Sequence, residues 1–169
     1  FHTEKDNGID INTARFVSQQ SKNPPVTKVM MNPPFALKRS DEKEFRFINH
    51  ALSQMQDGGI LFSVVPYSTM VRPGIYYTWR HNVLLPHHTL LAVITFPIDV
   101  FYPIGVTTLG IFVRKGFPHP RQQNVLWIRA LHDGLLKSKG KRLPHLRTTN
   151  DLERVKDTVH AFLHNPDHS

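Results

Sequence analysis

Apolar positions fall into short continuous runs bounded by proline- and glycine-rich turns, with helical spacing between the first two runs. Thr27 to Met31 is the first run and reads as a strand. Phe45, Ile48, Leu52 and Met55 then recur at helical spacing behind the acidic stretch Asp41-Glu42-Lys43-Glu44, which suits a helix N-terminus, and Asp57-Gly58-Gly59 reads as the stop. Ile60 to Val65 is almost entirely apolar, the mark of a strand covered on both faces, so it is predicted to be a central parallel strand closed by Pro66. Ser68 to Leu85 is read as holding a helix, either interrupted or begun around Pro73-Gly74, and Leu90 to Phe96 and Thr107 to Val113 as the third and fourth strands.

Strand, helix, strand, helix, strand in succession argues for an α/β fold. The connection from Pro97 to Val106 is too short and too proline-rich for a crossover helix, so the third and fourth strands are predicted to be an antiparallel pair. Asn124 to Arg129 reads as a further strand, and Leu136 to Arg142 as a flexible basic stretch. A last helix is expected from the N-cap Asn150 to about His164, with Leu152, Val155, Val159, Phe162 and Leu163 on its apolar side. Upstream, Ile9 to Phe16 suits a short turn or helix and Ser18 to Pro25 a surface connection. These patterns divide the chain into a polar connecting segment (1–26), an α/β unit (27–116) and a basic extension with a terminal helix (117–169).

Length and composition narrow the function classes. The 169 residues with 40% hydrophobic content suffice for one cored domain. The first residue is not Met and no signal pattern precedes the polar opening, so the chain reads as a piece of a longer protein. With no cysteine, disulfide frameworks and cysteine metal sites are excluded, and a cytoplasmic setting is the expectation. No apolar run approaches the roughly 20 residues that span a bilayer, so no membrane role is expected. The 11 histidines lack metal-ligand spacing, and no metal is expected. A net charge of +8 and a pI near 10.0 favour a polyanionic partner.

The candidate chemistry sits where the first strand ends, at Asn32-Pro33-Pro34-Phe35. Two prolines hold φ near about −65°, offer no N–H and push their predecessors out of the helical region, so the turn is stiff. The Asn32 side-chain oxygen and the Pro33 carbonyl become paired acceptor candidates at a strand's carboxyl end, where open α/β sheets bind ligands. An aromatic face at Phe35 beside two acceptors suits a planar ring bearing an exocyclic amine, with adenine the first candidate. Asn23-Pro24-Pro25-Val26 shares three residues with this turn but lacks the strand and the aromatic, and reads as a linker.

Asn32-Pro33-Pro34-Phe35 resembles the Asn/Asp-Pro-Pro-aromatic motif of S-adenosylmethionine-dependent amino-methyltransferases, above all the DNA adenine-N6 methyltransferases. The segment from Phe96 to Val106, running into Thr108-Leu109-Gly110-Ile111-Phe112 and Lys115-Gly116, resembles the modification subunits of type I restriction-modification systems; the likeness spans about Lys28 to Gly116, with echoes in Trp127 to Arg142. It implies a partial Rossmann-like methyltransferase fold: the second half of the sheet, ending in an antiparallel pair, as the C-terminal part of a catalytic domain.

It further implies S-adenosylmethionine as methyl donor, DNA as substrate, and a specificity subunit and further restriction-modification subunits as partners. Asn32, Pro33, Pro34 and Phe35 are the implied catalytic residues, and Tyr102 or Phe101 the wall on the other face of a flipped base. Lys38, Arg39, Lys137, Lys139, Lys141 and Arg142 are candidate phosphate contacts, with Arg72 and Arg80 behind them. The family's Gly-rich donor loop is not found before Lys28; Gly8 is the one glycine there, and Asp10 is a weak cofactor candidate. The chain is therefore expected to be inactive alone. Transfer to an RNA base or a protein glutamine amide, and a non-catalytic nucleic-acid-binding or assembly module, are the alternatives.

Overall fold

The computed structural model describes residues 25–165 apart from 37, 39, 139–140 and 145–147. Five strands form one sheet: β1 (Val26–Met31), β2 (Met55–Pro66), β3 (His88–Thr95), β4 (Thr108–Lys115) and β5 (Leu126–Arg129). Their spatial order is β1-β2-β4-β3-β5. β1 and β2 run parallel, as do β3 and β5, whereas β4 is antiparallel to both its neighbours.

The antiparallel pairing of β3 and β4 follows from their short connection, as expected. The surprise is the side on which β4 lands. It slots between β2 and β3, with Phe62 opposite Phe112 and Val93 opposite Ile111. β2 is an interior strand, covered as its apolar run predicts, but the middle position belongs to β4, and β2 is parallel to β1 on one edge and antiparallel to β4 on the other. Continuous apolarity reports cover on both faces, and says nothing about strand direction.

α1 (Glu44–Gln54) connects β1 to β2 and gives way to β2 at Met55, earlier than the Asp57-Gly58-Gly59 stop predicts. Phe47, Ile48 and Leu52 are its buried apolar face, and Ile48 and Leu52 join Leu61, Val65, Val93, Leu109, Ile111 and Val113 from the sheet in the main core. The helix expected over Ser68 to Leu85 is segmented into α2 (Tyr67–Val71), α3 (Ile75–Trp79), a π-helical turn (Arg80–Leu84) and the single turn α4 (Leu85–His87). Gly74, at φ 72°, takes the left-handed conformation that breaks α2 from α3. Pro86 has no N–H to continue an α-helical ladder, and the turn before it widens.

The stretch expected to be flexible and basic is instead an antiparallel hairpin of β6 (Leu135–Ser138) and β7 (Lys141–Pro144). α5 (Asp151–His164) starts as predicted, with the Asn150 side chain accepting the Leu152 N–H at 3.0 Å. Val155 and Val159 pack with Ile94 and Ala130 in a second cluster, beside Leu152 and Leu163, so α5 covers the sheet near β5. Among the described residues no helix is long and apolar enough to cross a membrane.

Candidate active site

The turn Asn32-Pro33-Pro34-Phe35 leaves β1 at its carboxyl end, beside the carboxyl end of the parallel β2. Asn32 and Pro34 are exposed, Pro33 is buried and Phe35 is half-buried. The turn is thus anchored by one proline while the asparagine faces outward.

Its exit is pinned by a group whose role the sequence pattern does not announce. Glu44, the first residue of α1, is 1% exposed, and its carboxylate accepts the Ala36 N–H at 2.6 Å and the Tyr76 hydroxyl at 3.1 Å. Charge-assisted bonds from a buried carboxylate are among the stronger polar contacts a fold makes. Around it, Phe45 stacks on Trp79 with centroids 5.6 Å apart and meets Tyr76 edge-on, while the Trp79 indole N–H donates to Asn49 Oδ1 at 2.8 Å. α1 and α3 are therefore joined directly behind the turn. Burial, with the Glu44 charge as a second cause, pushes the Tyr76 hydroxyl up to about 12. In sequence Glu44 reads as an ordinary acidic residue at a helix start; its one distinguishing signal is its position, nine residues after Phe35 at the head of an apolar helix.

The loop between β3 and β4 closes over the same end of the sheet. Consecutive turns run through it: Val100 N–H donates to Pro97 O, Tyr102 N–H to Asp99 O, and Ile104 N–H to Phe101 O. Phe101 meets Phe35 edge-to-face, with centroids 5.2 Å apart and planes at 70°. Two segments 66 positions apart in sequence thus share one aromatic corner. Tyr102 is half-buried, and the Lys137 ammonium lies 4.9 Å from its ring centroid.

The basic candidates separate into free and committed groups. The Lys38 and Lys141 side chains are exposed, and Lys137 is exposed but sits over Tyr102. Arg142 is different: its Nη2 donates to both Asp133 carboxylate oxygens at 2.6 and 2.7 Å and reaches Asp99 Oδ1 at 3.4 Å. Arg80 is committed as well, donating to the Thr69 and Arg72 carbonyls at the end of α2. Arg72 is exposed. Asp10, Arg39 and Lys139 lie outside the described residues. Among those described, no group of three or more His, Asp or Glu could hold a metal ion.

A family model described as N-6 DNA Methylase matches residues 2–169. The type II restriction enzyme and methyltransferase RM.BcgI of Heyndrickxia coagulans is 34% identical over 113 residues, covering 64% of this chain and 18% of that protein. The chain therefore spans less than a fifth of the curated relative it matches. Among solved structures, the methyltransferase subunit of a type I restriction-modification system from Streptococcus thermophilus superposes with a TM-score of 0.61 at 20% identity, over 84% of this chain and 34% of that one. The M protein of the type I restriction enzyme EcoKI gives 0.57 at 23% identity, over 86% of this chain and 32% of that one. Both likenesses are of fold: a Rossmann-like α/β sheet.

Proposed function

The chain belongs to the N-6 DNA methylase family, and on that premise we propose that its whole protein transfers a methyl group from S-adenosylmethionine to the N6 amine of an adenine flipped out of DNA. The observation that carries this reading is the aromatic corner of Phe35 and Phe101 beside an outward-facing Asn32 at the end of a parallel strand.

An adenine amine is a poor nucleophile because its lone pair is delocalised into the ring. In this reading the Asn32 side-chain oxygen and the Pro33 carbonyl accept its two N–H groups, which favours a tetrahedral nitrogen with its lone pair available. Pro33 and Pro34 keep the turn rigid, so the acceptors need little reorganisation when the amine arrives. The base must leave the duplex to be reached, and Phe35 stacks on it, an interaction worth about 1–3 kcal/mol by alanine substitution. Phe101 touches Phe35 edge-on and so buttresses the platform, which leaves Tyr102 as the residue for the opposite face. Lys38 and Lys141, with Arg39 and Lys139, contact phosphates.

S-adenosylmethionine supplies a methyl group on a sulfonium centre. The described residues do not fit its cradle, because none of their glycines leads from a strand into a helix: Gly58 and Gly59 lie within β2, Gly74 separates α2 from α3, Gly105 lies in the β3–β4 loop, Gly110 lies within β4 under the Phe62 and Phe96 rings, Gly116 follows β4 and Gly134 precedes β6. In this reading the donor site lies outside the described residues, and those described form the acceptor side. A specificity subunit and further restriction-modification subunits complete the proposed assembly on DNA.

The test is a methylation assay of the full-length protein on unmethylated DNA, RNA and protein, with label in DNA expected. Label confined to RNA or protein would overturn the choice of acceptor, and none in any substrate would favour a non-catalytic module.

A further inference from the structure

We propose that the β6–β7 hairpin is a positioning device for the base pocket, with Arg142 tying it to Asp99 of the β3–β4 loop and Lys137 holding the Tyr102 ring. The inference rests on the methyl-transfer reading and gives the basic extension a task inside the site.

The Arg142 side chain is 14% exposed, and its partners Asp133 and Asp99 are 8% and 21% exposed. A guanidinium so enclosed, with two carboxylates on one nitrogen, is poorly placed to meet a phosphate, whereas two carboxylates brought together without it would repel. The pair with Asp133 is internal to the extension, since Asp133 Oδ1 also accepts the Leu135 N–H at 3.2 Å where β6 begins. The contact with Asp99 is the one that crosses to the pocket loop. Asp99 accepts the Tyr102 N–H through its own carbonyl, and Phe101 follows it by two residues. Holding Asp99 therefore holds the turn that carries both wall aromatics. Lys137, on the opposite strand of the hairpin, adds a second attachment by lying over the Tyr102 face.

Residues two strands and some forty positions away in sequence thus set the distance between Phe101 and Phe35. They touch neither base nor donor; they act through the loop.

Asp99→Asn tests this in the full-length protein, because it weakens the crossing contact and leaves the Arg142–Asp133 pair in place. A misplacement of about 1 Å can cost on the order of 100-fold, so loosening one contact is expected to lower kcat on unmethylated genomic DNA about tenfold. The KM for S-adenosylmethionine and the melting temperature should be unchanged, and the amides of Val100, Tyr102 and Ile104 should exchange with deuterium faster. Arg142→Gln should lower kcat at least as much, with Arg142→Lys recovering part. Wild-type kcat and wild-type exchange in Asp99→Asn would overturn the proposal, as would equal loss in Arg142→Lys and Arg142→Gln. A wild-type protein with no methyl transfer at all would instead overturn the functional reading, and the exchange measurement would still decide whether the hairpin holds the loop.

Discussion

The Glu44 carboxylate accepts the Ala36 N–H at 2.6 Å, so the residue leaving the Asn32–Phe35 turn is fastened to the first turn of α1. The same carboxylate holds the Tyr76 hydroxyl at 3.1 Å. One carboxylate therefore ties the Asn32–Phe35 turn, the helix that follows it and α3 together.

Glu44→Ala strands the Ala36 N–H and the buried Tyr76 hydroxyl, and an unsatisfied buried group costs about 1–3 kcal/mol. Urea unfolding should show a lower midpoint with an unchanged slope. Glu44→Gln, which can still accept the Ala36 N–H, should lose less, and equal losses would show that the charge alone matters.

Tyr76 gives a pH signature. Its hydroxyl is raised from 10.0 to about 12 by burial and by the Glu44 charge. The folded state keeps this proton more tightly than the unfolded chain, so the contribution is fully present below pH 10 and is lost as pH rises towards 12. Stability should fall through that window, and Tyr76→Phe should flatten that part of the curve. An identical alkaline decline in both proteins would refute the assignment.

Much of this was legible in the residues. Continuous apolar runs located β1 to β4, the spacing of Phe45, Ile48 and Leu52 located α1, and Asn150 located the start of α5, because each depends on local pattern. The insertion of β4 between β2 and β3 was not legible: a short connection dictates antiparallel pairing but not the side on which the strand lands. The hairpin at Leu135 to Pro144 was hidden because Arg142 looks like one basic residue among several until Asp133 and Asp99 surround it. The aromatic turn was visible as a motif, while the carboxylate that anchors it was not, since burial of Glu44 depends on α3 packing over it.

Gly110 marks the close approach in the middle of the sheet. A Cβ there would sit 2.7 Å from the Phe62 ring and 3.1 Å from Phe96. Gly110→Ala should destabilise by about 1–3 kcal/mol, as overpacking does. A midpoint like the wild type would mean that the Phe62 ring moves aside freely.

Stacking at Phe35 predicts an order of effects. Phe35→Ala should depress methyl transfer more than Phe35→Trp, because an indole still offers a face to the base. Equal losses would count against stacking.

The central claim is that Asn32 is an acceptor for the reacting amine. The direct measurement is the rate of N6-methyladenine formation on unmethylated genomic DNA by the full-length protein and its Asn32→Ala variant. The account predicts a drop in kcat of about 100-fold or more, comparable to losing an oxyanion-hole contact, with an unchanged melting temperature. Near-normal turnover by Asn32→Ala would contradict it.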